Sequence, residues 1–318
     1  MGHDSGMNPS ELWALWGAIP LVRLRARVNG RPSGLDMVAL TRKVQGWMWR
    51  NTCASADAPC ADPGASGRCK HAQDGCAANR AFPLNLVTGK TYQMASVFLR
   101  WNQAAAAIDV LALGEPDEAL HPALGHALFT ALGGKHAPVE PQLVTVASSF
   151  PLREGVVGFE TVTPWSAGAA DRHHPAPRTA LELNQFFHYR LLASLAHRGY
   201  KLTALALAMG AAGTLPTPEQ SKATCLAALA LGRRVLATDC ELVQAELRST
   251  TVVSLPSASG RWRTGGQPRA VYLPITGRFT LRATRDAWPW LALMQLCGSG
   301  ENADEGWGAL DCLAPSVG

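Results

Sequence analysis

Three arginines, Arg23, Arg25 and Arg27, occupy every second position between Leu21 and Val28. That alternation is the period of a half-buried strand, so the three guanidinium groups share one face, with Val22, Leu24, Ala26 and Val28 on the other. Like charges in a row repel, and a polyanion lying along the row would relieve the repulsion. Arg261-Trp262-Arg263 joins charge to a stacking ring, a pairing suited to single-stranded nucleic acid; an anchoring Trp between surface arginines reads the same way. Lys222, Arg233, Arg234 and Arg248 could hold a duplex by its phosphates without reading its bases. Arg172, His173, His174 and Arg178 gather in one polar loop, where paired histidines are often simply exposed. Cys53, Cys60, Cys69 and Cys76 stand near one another with His71 among them. They lack a C-x-x-C pair, so a structural zinc ion and free thiols are both open readings. Cys225, Cys240, Cys297 and Cys312 sit in apolar contexts and read as small core residues.

The elements that would position these groups follow from composition and period. The chain has 318 residues, 47% of them hydrophobic, enough to fill two domain cores. Its net charge of +5 is modest, so the placement of charge matters more than the total. No apolar stretch reaches membrane-spanning length without a charge or turn former, and the start lacks a basic-then-apolar leader, so a soluble cytoplasmic protein with no membrane partner is expected. After the turn Asn29-Gly30-Arg31-Pro32, Ser33 and Asp36 have capping-box spacing and predict a helix start. Met37, Leu40, Val44, Trp47 and Met48 give that helix its buried stripe, while Ala39, Lys43, Gly46 and Arg50 fall on another line. That second line could meet phosphate or be an ordinary solvated face.

Residues 51–93 read as an ordered or metal-tied loop. Strands are expected at Met94 to Leu99, Ala107 to Leu113 and Gln142 to Phe150, with a helix from His121 to Leu132 ending at Gly133-Gly134. The order strand, helix, strand, strand, helix, strand is that of a ferredoxin-like unit. A second half, 156–318, follows the first, 1–155. It starts with a strand from Val156 to Thr163 and a loop from Pro164 to Arg178. A helix from Thr179 to His197 is then stopped by Arg198-Gly199. Alanine-rich helices over 201–249 have no place in a minimal unit and read as an insertion. Strands are expected again at Thr251 to Leu255, Ala270 to Ile275 and Arg278 to Thr284, the last with Arg278 and Arg282 on its polar face. Trp288 and Trp290 read as core residues, His188 and His197 as packing or helix-end residues, and His121 and His126 as helix-surface residues.

This order of features resembles the CRISPR repeat-RNA processing endoribonucleases of the repeat-associated (RAMP) superfamily, which carry tandem ferredoxin-like domains. The resemblance rests on the strand-then-helix opening, the cysteine loop after that helix, Val162-Thr163-Pro164-Trp165, and the glycine-rich stretch from Gly298 through Gly300 and Gly306 to Gly308. The family's loop usually carries Lys or Arg between its glycine pairs; Glu301, Asp304 and Glu305 stand here instead. The arginine-heavy character and the extra helices resemble the version found in type IV systems.

The resemblance implies an α+β fold of tandem ferredoxin-like (RRM-like) domains with an inserted helical subdomain. It also implies cleavage of CRISPR repeat RNA without a required cofactor, by attack of a 2′-hydroxyl to leave a cyclic phosphate, with the crRNA hairpin product retained and other CRISPR effector subunits as partners. That reaction needs alignment, a base and donors for the charge on phosphorus. The first helix contains no His, so Lys43, crowded by Arg23, Arg25 and Arg50, is the expected base, with Arg23, Arg25 and Arg42 at the scissile phosphate. A crRNA-handle-binding subunit that does not cut is the alternative.

Overall fold

A computed structural model describes residues 7–52, 77–82, 95–102, 105–134, 139–150, 154–166, 177–210, 216–249, 253–255, 269–271, 274–300, 303 and 308–313. The chain opens with a helix the sequence reading did not anticipate, α1 (Pro9–Gly17), started by an Asn8–Glu11 capping box. It continues through β1 (Pro20–Arg27), α2 (Gly34–Asn51), α3 (Ala77–Ala81), β2 (Val97–Asn102), β3 (Ala107–Leu113), α4 (Leu120–Ala131), β4 (Val139–Thr145) and α5 (Val146–Ser149). The Ser33–Asp36 capping box forms at the start of α2. The four strands make an antiparallel sheet in the order β2-β3-β1-β4. Central first and third strands, with the second and fourth at the edges, are the ferredoxin-like arrangement.

The same arrangement recurs. β5 (Gly155–Thr161), β6 (Trp165–Ser166), α6 (Ala180–Ala208), α7 (Pro218–Asp239), β7 (Cys240–Ser249), β8 (Val253–Leu255), β9 (Arg269–Val271), β10 (Pro274–Ala283), α8 (Trp288–Cys297) and β11 (Leu310–Cys312) complete the chain. The second sheet runs β11-β5-β10, with β6 and β7 both pairing β10, and β8 pairs β9 separately. With β5, β7, β10 and β11 as its four strands, this sheet has the order of the first, so the fold is a tandem ferredoxin-like α+β structure.

The insertion is smaller than expected. Residues 240–249 form β7 rather than helix, and α6 passes through Gly199 to Ala208, which leaves α7 as the added helix. Gly199 is a notch and not a terminator. A Cβ there would lie 2.7 Å from Trp290 Nε1, and one at Gly232 of α7 would lie equally close. The indole of Trp290 thus enters a cleft between two helices that only glycine leaves open. From the first unit, Trp16 of α1 meets Trp290 edge-on at 5.6 Å and donates its indole N–H to Thr203 Oγ1 at 3.0 Å. Helix α1 therefore ties the two units through a shared aromatic core.

Candidate functional site

The register of the first sheet places Arg23 between Leu111 and Gln142, Arg25 beside Asp109, Asp109 beside Arg100, and Ala107 between Arg27 and Asn102. These residues share the face opposite Val22, Leu24 and Ala26. Arg25 donates Nε and Nη2 to the two oxygens of Asp109 at 2.6 and 2.8 Å, and Asn102 donates to the same carboxylate at 3.0 Å. The hydrogen bond that Arg25 donates to Asp109 holds the Arg25 pKa above its usual value.

Arg100, its side chain 17% exposed, crosses to the second unit. Its Nη2 donates to Asp311 at 3.1 Å and to the Leu310 carbonyl at 3.4 Å, and its guanidinium lies over Phe150 at 5.3 Å. Burial lowers the pKa of Arg100 against the pull of Asp311 and pushes the Asp311 carboxyl up against the pull of Arg100. Next to them, Glu160 lies 3.9 Å from Arg31 and 3.7 Å from Arg278. Arg282 donates to Glu241 at 2.6 Å. Arg23 differs from these. Its Nη2 lies 3.2 Å from the Ser149 hydroxyl, and its buried Nε has no acceptor.

The expected catalytic group does not assemble. Alternation turns Arg23 and Arg25 away from the Val22, Leu24 and Ala26 face, whereas Met37, Leu40, Val44 and Met48 bury α2 in the core with those apolar residues. Lys43 and Arg50 are exposed on the outside of α2, so the sheet separates them from Arg23 and Arg25, and Arg42 is buried. Lys43 is therefore not crowded by the strand arginines, because helix and stripe occupy opposite faces of one sheet. The pairing of Arg278 and Arg282 with Glu160 and Glu241 likewise partly neutralises the polar face of β10.

Arg27, Arg178, Lys222, Arg233, Arg234 and Arg248 are exposed. Arg233 lies 3.4 Å from His197 Nε2, and burial, then Arg233 and Lys201, lower the pKa of His197. His197 lies within α6 rather than at its end. His121 is buried rather than on the surface, with Nδ1 accepting from the Asp117 N–H at 2.8 Å. Cys225, Cys240 and Cys297 are buried, and burial raises the Cys240 thiol to about 12, so these behave as inert core residues.

Two motifs distant in sequence meet. Gly308 N–H donates to the Pro164 carbonyl, Ser299 N–H to the Gly308 carbonyl, and Ala309 N–H to Thr163 Oγ1, all at 2.8 to 3.0 Å. Gly298, Gly300 and Gly308 have φ of 69°, 88° and 66°, and a Cβ at Gly300 would lie 2.6 Å from the Ser166 carbonyl. These glycines serve left-handed turns and close backbone approach. Trp165 Nε1 donates to Ser299 Oγ at 3.0 Å and closes the junction.

Arg172, His173, His174, Arg261, Trp262, Arg263, Gly306 and the cysteines Cys53, Cys60, Cys69 and Cys76 lie outside the described residues. Among the described residues no three His, Cys, Asp or Glu side chains gather to hold a metal ion, and no helix is long and apolar enough to cross a membrane. Sequence reasoning missed Arg100, Asp109, Ser149 and Asp311. Asp109 left a signal, a lone carboxylate inside the apolar strand Ala107 to Leu113.

No protein-family model matches the sequence, and no curated protein matches it. Among solved structures, the chain is similar to a Cas6 product complex, at 14% identity and a TM-score of 0.40 over 93% of this chain and 100% of that one. It is also similar to Thermus thermophilus Cse3 bound to an RNA representing a pre-cleavage complex, at 14% identity and a TM-score of 0.37 over 93% and 99% of the two chains. A Cas6-related protein from Pyrococcus furiosus matches at 9% identity and a TM-score of 0.32 over 94% and 100% of the chains.

Proposed function

We propose that this protein binds CRISPR repeat RNA and cuts it without metal, through attack of a 2′-hydroxyl that leaves a cyclic phosphate, and then keeps the crRNA product. The observation that carries the reading is the junction of Thr163-Pro164-Trp165 with Ser299, Gly308 and Ala309 inside two ferredoxin-like units. The motifs behind the sequence resemblance are joined by backbone hydrogen bonds, as parts of one structural device would be. The exposed arginines of α7 and β7, Arg233, Arg234 and Arg248, support phosphate contact along a hairpin. Other effector subunits belong to the proposal as partners.

Two faces compete for the scissile phosphate. Arg23 and Arg27 offer charge stabilisation on the arginine-bearing sheet face, while Lys43 offers a base on the far side of the sheet. One phosphate cannot touch both. Incubation of repeat RNA with the protein in EDTA tests the chemistry, with 2′,3′-cyclic phosphate ends expected; absence of cleavage while binding persists rejects the enzyme. Lys43→Ala and Arg23→Gln, assayed separately for binding and cutting, assign the face. Loss of cutting in one variant only, beyond any change in its RNA binding, is the expected outcome.

One observation favours the non-cutting alternative. No histidine of the described residues lies on the arginine face, and Arg25 there is already neutralised by Asp109. Such a face can hold an RNA handle, and its carboxylates, Asp109 and Asp311, are already held by arginines rather than free to take a proton.

A further inference from the structure

The arginine-bearing face of the first sheet holds a charge imbalance around Arg23. Three guanidinium groups, Arg23, Arg25 and Arg100, face two carboxylates, Asp109 and Asp311, and both carboxylates are engaged by Arg25 and Arg100. Arg23 is close enough to Arg100 to act on it electrostatically, and its described hydrogen-bond partner is the neutral Ser149 hydroxyl. Its Nε is shielded from solvent with no acceptor. A buried donor without a partner is costly, and a partly buried positive charge with no counter-charge more so. Across the strand, Gln142 sits opposite Arg23 in register and is exposed, adding an amide at the open side of the group.

We propose that Arg23, Ser149 and Gln142, backed by Arg100, form a seat for one singly charged oxyanion, a phosphodiester of the RNA backbone. This assignment rests on the RNA-binding reading above and adds to it the stoichiometry, one phosphate, and two neutral positioning residues. A phosphodiester carries the single negative charge that the imbalance lacks, and its oxygens accept from the guanidinium fork and the hydroxyl together. Ser149 ends α5 on the crossover between the units, so it holds the Arg23 guanidinium toward the seat when an anion is present.

The test uses the full chain and a fluorescein-labelled oligoribonucleotide of mixed sequence that contains a hairpin, with affinity measured across a salt series. Arg23→Gln is expected to reduce the slope of log K against log salt by about 0.7–0.9, the loss of one phosphate contact. Arg23→Lys is expected to keep the slope and weaken binding, because charge remains while the fork is lost. Ser149→Ala keeps the slope and costs roughly 2- to 10-fold in affinity, one hydrogen bond. A second arm follows thermal unfolding with inorganic phosphate. Wild-type RNA binding with an unchanged slope in Arg23→Gln overturns the seat and leaves the RNA reading standing. No RNA binding, with stabilisation by phosphate that Arg23→Gln abolishes, keeps the seat as a small-anion site and overturns the RNA reading. Neither effect overturns both. Should Arg23→Gln fail to fold, wild-type binding in both Arg23→Lys and Ser149→Ala overturns the seat.

Discussion

Protonation of His188 must take place against burial, which lowers its pKa despite a backbone hydrogen bond at Cys240 and the charge of Glu241. His197 is lowered too, by burial first and then by Arg233 and Lys201. A histidine whose folded pKa lies below its unfolded value favours the folded state above the unfolded pKa, and that contribution is lost as pH falls through the folded pKa. The protein is therefore expected to lose thermal stability on acidification below about pH 6.5, the ordinary histidine pKa. Melting curves across that window check it, and His188→Gln should flatten the dependence. Neither imidazole was singled out by spacing as titration-sensitive, because the cause is the packing of α6 against β7 and α7.

At the scale of elements, α6 and α7 lie together because each leaves a glycine where Trp290 enters. Gly232→Ala would place a methyl group 2.7 Å from the indole nitrogen, and overpacking of this kind costs about 1–3 kcal/mol. Thermal or urea unfolding measures it. In a Trp290→Phe background, which removes the indole edge, the same substitution should cost far less. The sequence reading placed β1, β3, α2 and α4 to within a residue or two, since strict alternation and a capping box are local signals. It ended α6 at Gly199, because glycine after basic residues is also the signature of a helix C-terminus. Local sequence cannot tell a terminator from a notch made for a tryptophan ninety residues away. It also assigned 240–249 to helix, where one exposed edge of β7 and one packed edge blur the period of two.

In the whole molecule the units are joined by α1 and by Arg100. Arg100 reaches from the edge strand β2 to Asp311 on the edge strand β11, so removing one partner leaves the other uncompensated between the sheets. Asp311→Asn is expected to destabilise by about 3–5 kcal/mol, whereas the pair Arg100→Met with Asp311→Leu should be close to neutral, since an apolar pair needs no counter-charge. Urea unfolding of the three proteins gives the comparison. Equal losses in single and double variants would show that the ion pair itself contributes little.

Residue order alone determined the strand alternation that aligns Arg23, Arg25 and Arg27, the capped helix after it, and the strand-helix order of the first ferredoxin-like unit. These depend on periodicity and on contacts three or four residues apart. Tertiary structure decided which arginines are left without a counter-charge. Asp109 neutralises Arg25, Glu160 and Glu241 meet Arg278 and Arg282, and the sheet stands between Lys43 and Arg23. Charge compensation is a property of distance after folding, and a chain that brings residues 100 and 311 together does not reveal that distance in its order.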